Sequence, residues 1–217
     1  MLAQIVLFDG FDPLDVVAPF EVLAAGSDAL GGTLDVKLVS AEGSRTVVSG
    51  TRGLTLEASA SLDPSSSGII VVPGASGPIN ADPEEVDTIP VLLARVGETP
   101  LPALITQALA NPEITVATVC GGSLALAMAG VLEGRNAVTH FQGMDVLDAT
   151  GVNAIDARVV DDGNLVTAAG VTSGLDLGLY LLERQFGPRI ALSVEQLFQY
   201  ERRGVVWRNT GAEPLAV

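Results

Sequence analysis

One cysteine, one histidine and an early run of carboxylates are the groups in this 217-residue sequence whose spacing suits covalent chemistry. Ile114-Thr-Val-Ala-Thr-Val-Cys120-Gly-Gly-Ser-Leu-Ala-Leu-Ala-Met reads as a buried strand that passes through the cysteine and two glycines into an apolar helix. Such a turn holds a nucleophile in a strained conformation, and Gly121 and Gly122 are the small neighbours that the tight backbone needs. A thiol at a helix start also feels the positive end of the helix dipole, which predicts titration below the ordinary cysteine value. The same pattern fits a buried cysteine that serves only as a small apolar residue.

Phe8-Asp-Gly-Phe-Asp-Pro-Leu-Asp15-Val-Val-Ala-Pro-Phe-Glu21 follows a first strand and opens a helix. In open α/β sheets ligands bind beyond the carboxyl ends of the strands, which would bring Asp15 and Cys120 to one crevice. A carboxyl there can hydrogen-bond the sulfur and move protons when burial raises its pKa. Asp12 and Asp15 equally suit a helix cap and a first-turn acid. Gly74, in Val71-Val-Pro-Gly, ends another strand and is expected to offer a backbone N–H to the crevice, a second oxyanion donor beside that of Gly121. Thr172-Ser173-Gly174 joins a strand to a helix, either lining the pocket or capping the helix. His140 is the sequence's single imidazole, so a cysteine–histidine pair would have to use it. A histidine of the core or surface is the other reading.

Short β-branched runs alternate with longer segments of helical spacing, the signature of an α/β protein with a parallel sheet covered by helices. Strands are expected near 4–8, 34–40, 68–72, 114–119, 158–160 and 165–168, with a short one at 137–139. Helices are expected over 14–25, 100–110, 122–131, 142–149, 173–186 and 188–203. Asp161-Asp-Gly-Asn164 reads as the turn of a hairpin. The polar stretch 59–68 reads as a surface loop. Residues 75–100, with prolines at 78, 83, 90 and 100, read as an elaborated surface excursion that could shield a site. A single domain over 1–207 with a flexible tail over 208–217 is expected.

Composition narrows the function classes. With 48% hydrophobic and 17% charged residues the chain can bury a large core, and 24 glycines and 12 prolines are too few for a low-complexity chain. Eleven Lys and Arg against 26 Asp and Glu give a formal charge of −15, which disfavours nucleic acid and anionic lipid as partners. One Cys and one His exclude a disulfide framework and the Cys/His zinc spacings, so no metal is expected. The first residues lack a basic leader and a signal-length apolar stretch, and 114–132 is broken by Cys120-Gly-Gly-Ser. The expectation is a cytoplasmic protein with no membrane span.

Taken in order, Leu14-Asp-Val-Val-Ala-Pro-Phe-Glu-Val-Leu, Val71-Val-Pro-Gly, Ala117-Thr-Val-Cys-Gly-Gly-Ser-Leu-Ala-Leu, Val138-Thr-His-Phe and Gly163-Asn-Leu-Val-Thr-Ala-Ala-Gly-Val-Thr-Ser-Gly-Leu-Asp resemble the ThiJ/PfpI superfamily. The resemblance implies a flavodoxin-like, class I glutamine amidotransferase-like fold in three layers. It also implies a nucleophilic Cys120, Asp15 hydrogen-bonded to it, Gly121 and Gly74 as oxyanion-binding positions, no organic cofactor, and a homodimer acting on a small molecule. The nearest branch resembles the isocyanide hydratases, which convert an isocyanide to an N-formamide. Two departures mark this chain. Gly121 stands where the hydratases carry a threonine that helps hold the sulfur, and Ala75, at the pocket entrance, replaces a second glycine within a longer segment. Gly121 also replaces the histidine of the protease-like branch, so peptidase activity is not expected. Asp15 stands where the glyoxalase and deglycase branch carries glutamate. The domain also resembles the sensor half of AraC-like regulators, but with few residues after 207 for helix-turn-helix modules direct DNA binding is not expected. A small-molecule-binding or cysteine-based redox-sensing module is the non-enzymatic alternative.

Overall fold

The computed structural model describes residues 1–82 and 86–212. Its centre is an eight-stranded sheet in the order β12 (Trp207–Arg208), β10 (Val159–Asp161), β11 (Leu165–Ala168), β7 (Ile114–Val119), β6 (Gly68–Val72), β1 (Leu2–Leu7), β2 (Asp35–Ser40) and β5 (Ala60–Ser61). The middle strands, β11, β7, β6, β1 and β2, run parallel to one another. β6, β7 and β11 are buried along their whole length, as their unbroken apolar runs require of strands covered on both faces. β10 returns antiparallel to β11 through the expected hairpin, where Gly163 takes φ +81 and its N–H donates to Asp161 Oδ1 at 2.9 Å.

Helices flank the sheet in two groups. α1 (Pro13–Ala29), α6 (Ser173–Phe186) and α7 (Pro188–Phe198) pack on one another. α4 (Gly122–Met128) packs against α2 (Ile89–Val96) and α5 (Met144–Ala149), and α3 (Leu101–Leu109) lies on β7. α1 starts because Asp12 Oδ1 accepts from Leu14 N at 2.9 Å and Pro13 sits in the first turn, where its missing N–H costs nothing. The α/β, flavodoxin-like reading of the sequence holds.

Several local expectations change. The segment 59–68 is not only loop: β5 extends the sheet beyond β2. A hairpin of β3 (Arg45–Val48) and β4 (Thr55–Ala58) was not foreseen. The excursion 75–100 contains α2, which buries Leu92, Leu93 and Val96 and so belongs to the core. The strand expected at 137–139 is β8 (Asn136–Ala137), paired with β9 (Asn153–Ala154). α7 ends at Phe198 instead of running to 203, because Gln199 turns left-handed (φ +50). The chain then reaches β12, which pairs with β10, so the expected tail begins inside a strand and its residues 213–217 lie outside the described residues. No single helix among the described residues is long and apolar enough to cross a membrane.

Candidate active site

Cys120 follows directly on β7 and has φ +54, a conformation costing an L-residue about 1–2 kcal/mol. The surroundings fix it. Its N–H donates to Ala168 O at 3.0 Å, and its carbonyl accepts from Thr139 Oγ1 at 2.8 Å. The backbone of the β6 end crosses so closely that two glycines are sterically required. A Cβ on Gly122 would lie 2.3 Å from Val72 O, and one on Gly74 would lie 2.6 Å from Gly121 N. The strand-cysteine-glycine-glycine-helix pattern thus folds as a sharp elbow.

α1 brings Asp15 to this elbow. Its side chain is fully buried, and Oδ2 accepts from Gly74 N at 2.9 Å. The other oxygen, Oδ1, makes no hydrogen bond of ordinary geometry, yet the carboxyl and the Cys120 thiol are near enough to alter each other's proton affinity. Burial, followed by the Asp12 charge, pushes Asp15 well above the usual carboxylate range, against the pull of the Gly74 N–H and the thiol. Burial first, and the Asp15 charge second, push the Cys120 thiol up. The Gly121 N–H favours thiolate as the helix start predicts, but it is outweighed. The expectation of an unusually acidic thiol is therefore corrected: at this depth desolvation and a neighbouring carboxylate dominate the helix end.

Cys120 is 7% exposed and opens on a cavity of about 360 Å³. Leu93, Leu124, Met128, Ile79, Ile89 and Val146 are among the apolar side chains that line it, with Ala75, Asp12 and His140. No Lys or Arg among the described residues lines it. A second hollow of about 630 Å³, at the end of the sheet beside β12, shares no lining residue with it. Among the described residues no three His, Cys, Asp or Glu side chains are grouped to hold a metal ion.

The remaining expected site residues divide. Ala75 lines the cavity, in a bridge with Phe11. Gly74 is at the elbow, but its N–H is taken by Asp15, so it is not the free oxyanion donor expected: the carboxylate has claimed it. Thr172 and Ser173 do not line the cavity; Val171 does. Thr172 Oγ1 accepts from Arg158 Nη2 at 3.0 Å and makes no capping bond, and Ser173 is fully buried. His140 caps a 3-10 turn (Phe141–Gly143), its Nδ1 accepting from Gln142 N at 3.4 Å. It faces the cavity without a hydrogen bond to the thiol, and partial burial lowers its pKa. The sequence reading passed over Thr139, Leu93 and Val171. Only Leu93 left a signal, the spacing of Ile89, Leu93 and Val96, which the prolines around it obscured.

A flavodoxin-like sheet with a cysteine elbow over an acid on the first helix defines the class of protein. The DJ-1/PfpI family model matches residues 1–184, and the chain belongs to that family. It is 32% identical over 197 residues to an isonitrile hydratase of Pseudomonas putida, covering 89% of this chain and 76% of that one. It is 33% identical over 98 residues to the HTH-type transcriptional regulator GbdR of Pseudomonas aeruginosa, covering 44% of this chain and 27% of the regulator. The crystal structure of a ThiJ/PfpI family protein from Pseudomonas syringae superposes with a TM-score of 0.75 at 24% identity, over 97% of this chain and 78% of that one.

Proposed function

We propose that this chain, as one domain over 1–207, is a cysteine-dependent, cofactor-independent enzyme that hydrates isocyanides to N-formamides. The observation that carries the reading is the buried pairing of Asp15 with Cys120, which itself opens on an apolar cavity. The identity to an isonitrile hydratase over most of both chains supports it.

The chemistry follows from where the proton sits. The thiol is not a standing thiolate, so the nucleophile forms as Asp15 takes the Cys120 proton while sulfur bonds to the isocyanide carbon. Asp15 then delivers that proton to the same carbon, leaving a thioimidate on Cys120. Water adds to the carbon; one of its protons goes to nitrogen, the other passes through Asp15 to sulfur. The carbon–sulfur bond breaks, releasing the formamide and the free thiol. The Gly121 N–H at the elbow steadies charge on sulfur throughout. His140 has no part in these steps. The active unit is a cytoplasmic homodimer, an expectation carried by the family resemblance.

Turnover of an aryl isocyanide tests this, followed as formamide by chromatography. Hydration by the native protein, lost in Cys120→Ala, is the expected result. Absence of turnover with any isocyanide, amide or dicarbonyl, together with peroxide-dependent sulfinate at Cys120, selects the redox-sensing alternative. The match to a transcriptional regulator keeps that second reading in view.

A further inference from the structure

Gly121 differs from its glycine neighbours at the elbow. A Cβ on Gly122 or Gly74 would strike backbone, whereas one on Gly121 would meet the tip of one side chain, Leu93, at 3.0 Å from Cδ1 and 3.2 Å from Cδ2. The Gly121 backbone, at φ −69, is one any residue adopts. The tight obstacle to a Cβ at residue 121 is therefore the Leu93 side chain, with the Gly74 Cα at an ordinary contact distance of 3.6 Å.

Leu93 is held there firmly. It is 2% exposed on α2, and Leu92 beside it packs where a Cβ on Gly10 would come within 2.6 Å. On the outer face of the helix Arg95 pairs with Asp87 through two hydrogen bonds of 2.7 and 3.0 Å, and Ile89 N donates to Pro78 O at 2.9 Å. The helix is thus fixed on several sides while its Leu93 reaches the cavity beside Cys120.

We propose that Leu93 is a positioning residue for Cys120: it occupies the place of a side chain at 121 and keeps water from the sulfur's end of the cavity. Water excluded from beside the sulfur destabilises thiolate relative to thiol, in accord with burial being the largest influence on this thiol. Among the described residues, the ionisable groups that bear on the sulfur are Asp15 and Asp12 from the start of α1, while His140, from the turn before α5, lines the same cavity. α4 carries none, and the one cation of α2, Arg95, is turned outward to Asp87. Leu93 therefore acts through solvation, not charge. The inference rests on Cys120 being the reacting group.

Alkylation of Cys120 by iodoacetamide as a function of pH, read by intact mass because the chain has one cysteine, tests it on the full-length protein. Leu93→Ala is expected to move the rate–pH curve to lower pH, by about one unit, corresponding to about a tenfold faster reaction at pH 8. Leu93→Val, a milder truncation that keeps the helix packed, moves it the same way by less. Gly121→Thr alone lowers the melting temperature, and in the Leu93→Ala background it does so much less. Curves for both Leu93 variants that coincide with that of the native protein overturn the proposal. So does an equal loss of melting temperature from Gly121→Thr in both backgrounds. Isocyanide turnover, measured on the same samples, judges the hydratase reading separately: a native protein without turnover removes that reading and leaves the alkylation curves to decide on Leu93.

Discussion

Replacing Asp15 by asparagine should stabilise the protein while disabling it. The native carboxyl is fully buried, with one oxygen on the Gly74 N–H at 2.9 Å and the other without an ordinary hydrogen bond. Asparagine has the same shape, keeps its oxygen on Gly74 and turns an amide toward the sulfur. Relieving a buried unsatisfied acceptor recovers about 1–3 kcal/mol. At about 2–4 °C per kcal/mol for a chain of this size, the melting temperature rises by about 2–12 °C. The gain must depend on pH in one direction. Burial raises the folded pKa of Asp15 above its unfolded value near 4, so below about pH 4 both states of the native protein hold the proton. As pH climbs, the unfolded chain releases its proton while the folded one retains it, so native stability falls until the folded carboxyl ionises. The asparagine variant has no proton to release at this position, and the gap between the two proteins should open above about pH 4 and then level off. Urea unfolding from pH 4 to 8 measures it. In the same variant isocyanide hydration should fall by about 10²-fold or more, the usual worth of a general acid–base. A variant less stable than the native protein at pH 7.5, or a gap that ignores pH, would refute the placement of a raised, buried acid at this elbow.

Two further outcomes follow from the far end of the sheet and from the cavity rim. Asp176, 2% exposed, accepts from Arg158 Nε (2.8 Å), Tyr200 OH (2.9 Å) and Arg203 N (2.7 Å), which pins the chain between α7 and β12. Asp176→Ala strands a half-buried arginine and should lower the unfolding free energy by about 3 kcal/mol, with new proteolysis within 199–206; a loss under about 1 kcal/mol by urea titration counts against that role. His140→Gln should leave the pH dependence of Cys120 alkylation where it is, since His140 makes no hydrogen bond to the thiol; a displaced curve would return the imidazole to the mechanism.

What could be read in the chain beforehand was what local pattern controls. The run into Cys120-Gly-Gly was legible because a fully buried strand has no polar alternation and the close backbone crossing tolerates only small residues. α2 was obscured because Pro90 and the prolines around it look like breakers, yet Pro90 sits in the first turn and Pro100 precedes α3, where proline is harmless. The β3–β4 hairpin has four-residue strands, only one buried position in each, and Arg52 in the left-handed region of its turn, so no periodic signal marks it. The end of α7 was misplaced because tertiary bonds, Arg203 N to Asp176 and Arg202 Nε to Glu195 at 2.7 Å, draw away residues that helical spacing would have kept. The partner of the Gly74 N–H depended on where α1 would set the Asp15 carboxyl, a matter of packing between elements distant in sequence.

The same packing decides how this thiol can react. Cysteines are commonly activated by a nearby cation, but no Lys or Arg among the described residues lines this cavity, and His140 is not bonded to the sulfur. In the proposed mechanism activation therefore falls to proton transfer within the Cys120–Asp15 pair. Transfer is easiest when donor and acceptor hold the proton with comparable strength, and a carboxyl of ordinary acidity would be too weak a base for a buried thiol. Depth corrects this by raising the proton affinity of Asp15, which makes it a stronger base. The instability expected from a buried acid and the basicity that opens the thiol to an uncharged electrophile are thus one property of the fold. A change that hydrates Asp15 should recover stability and lose reactivity together.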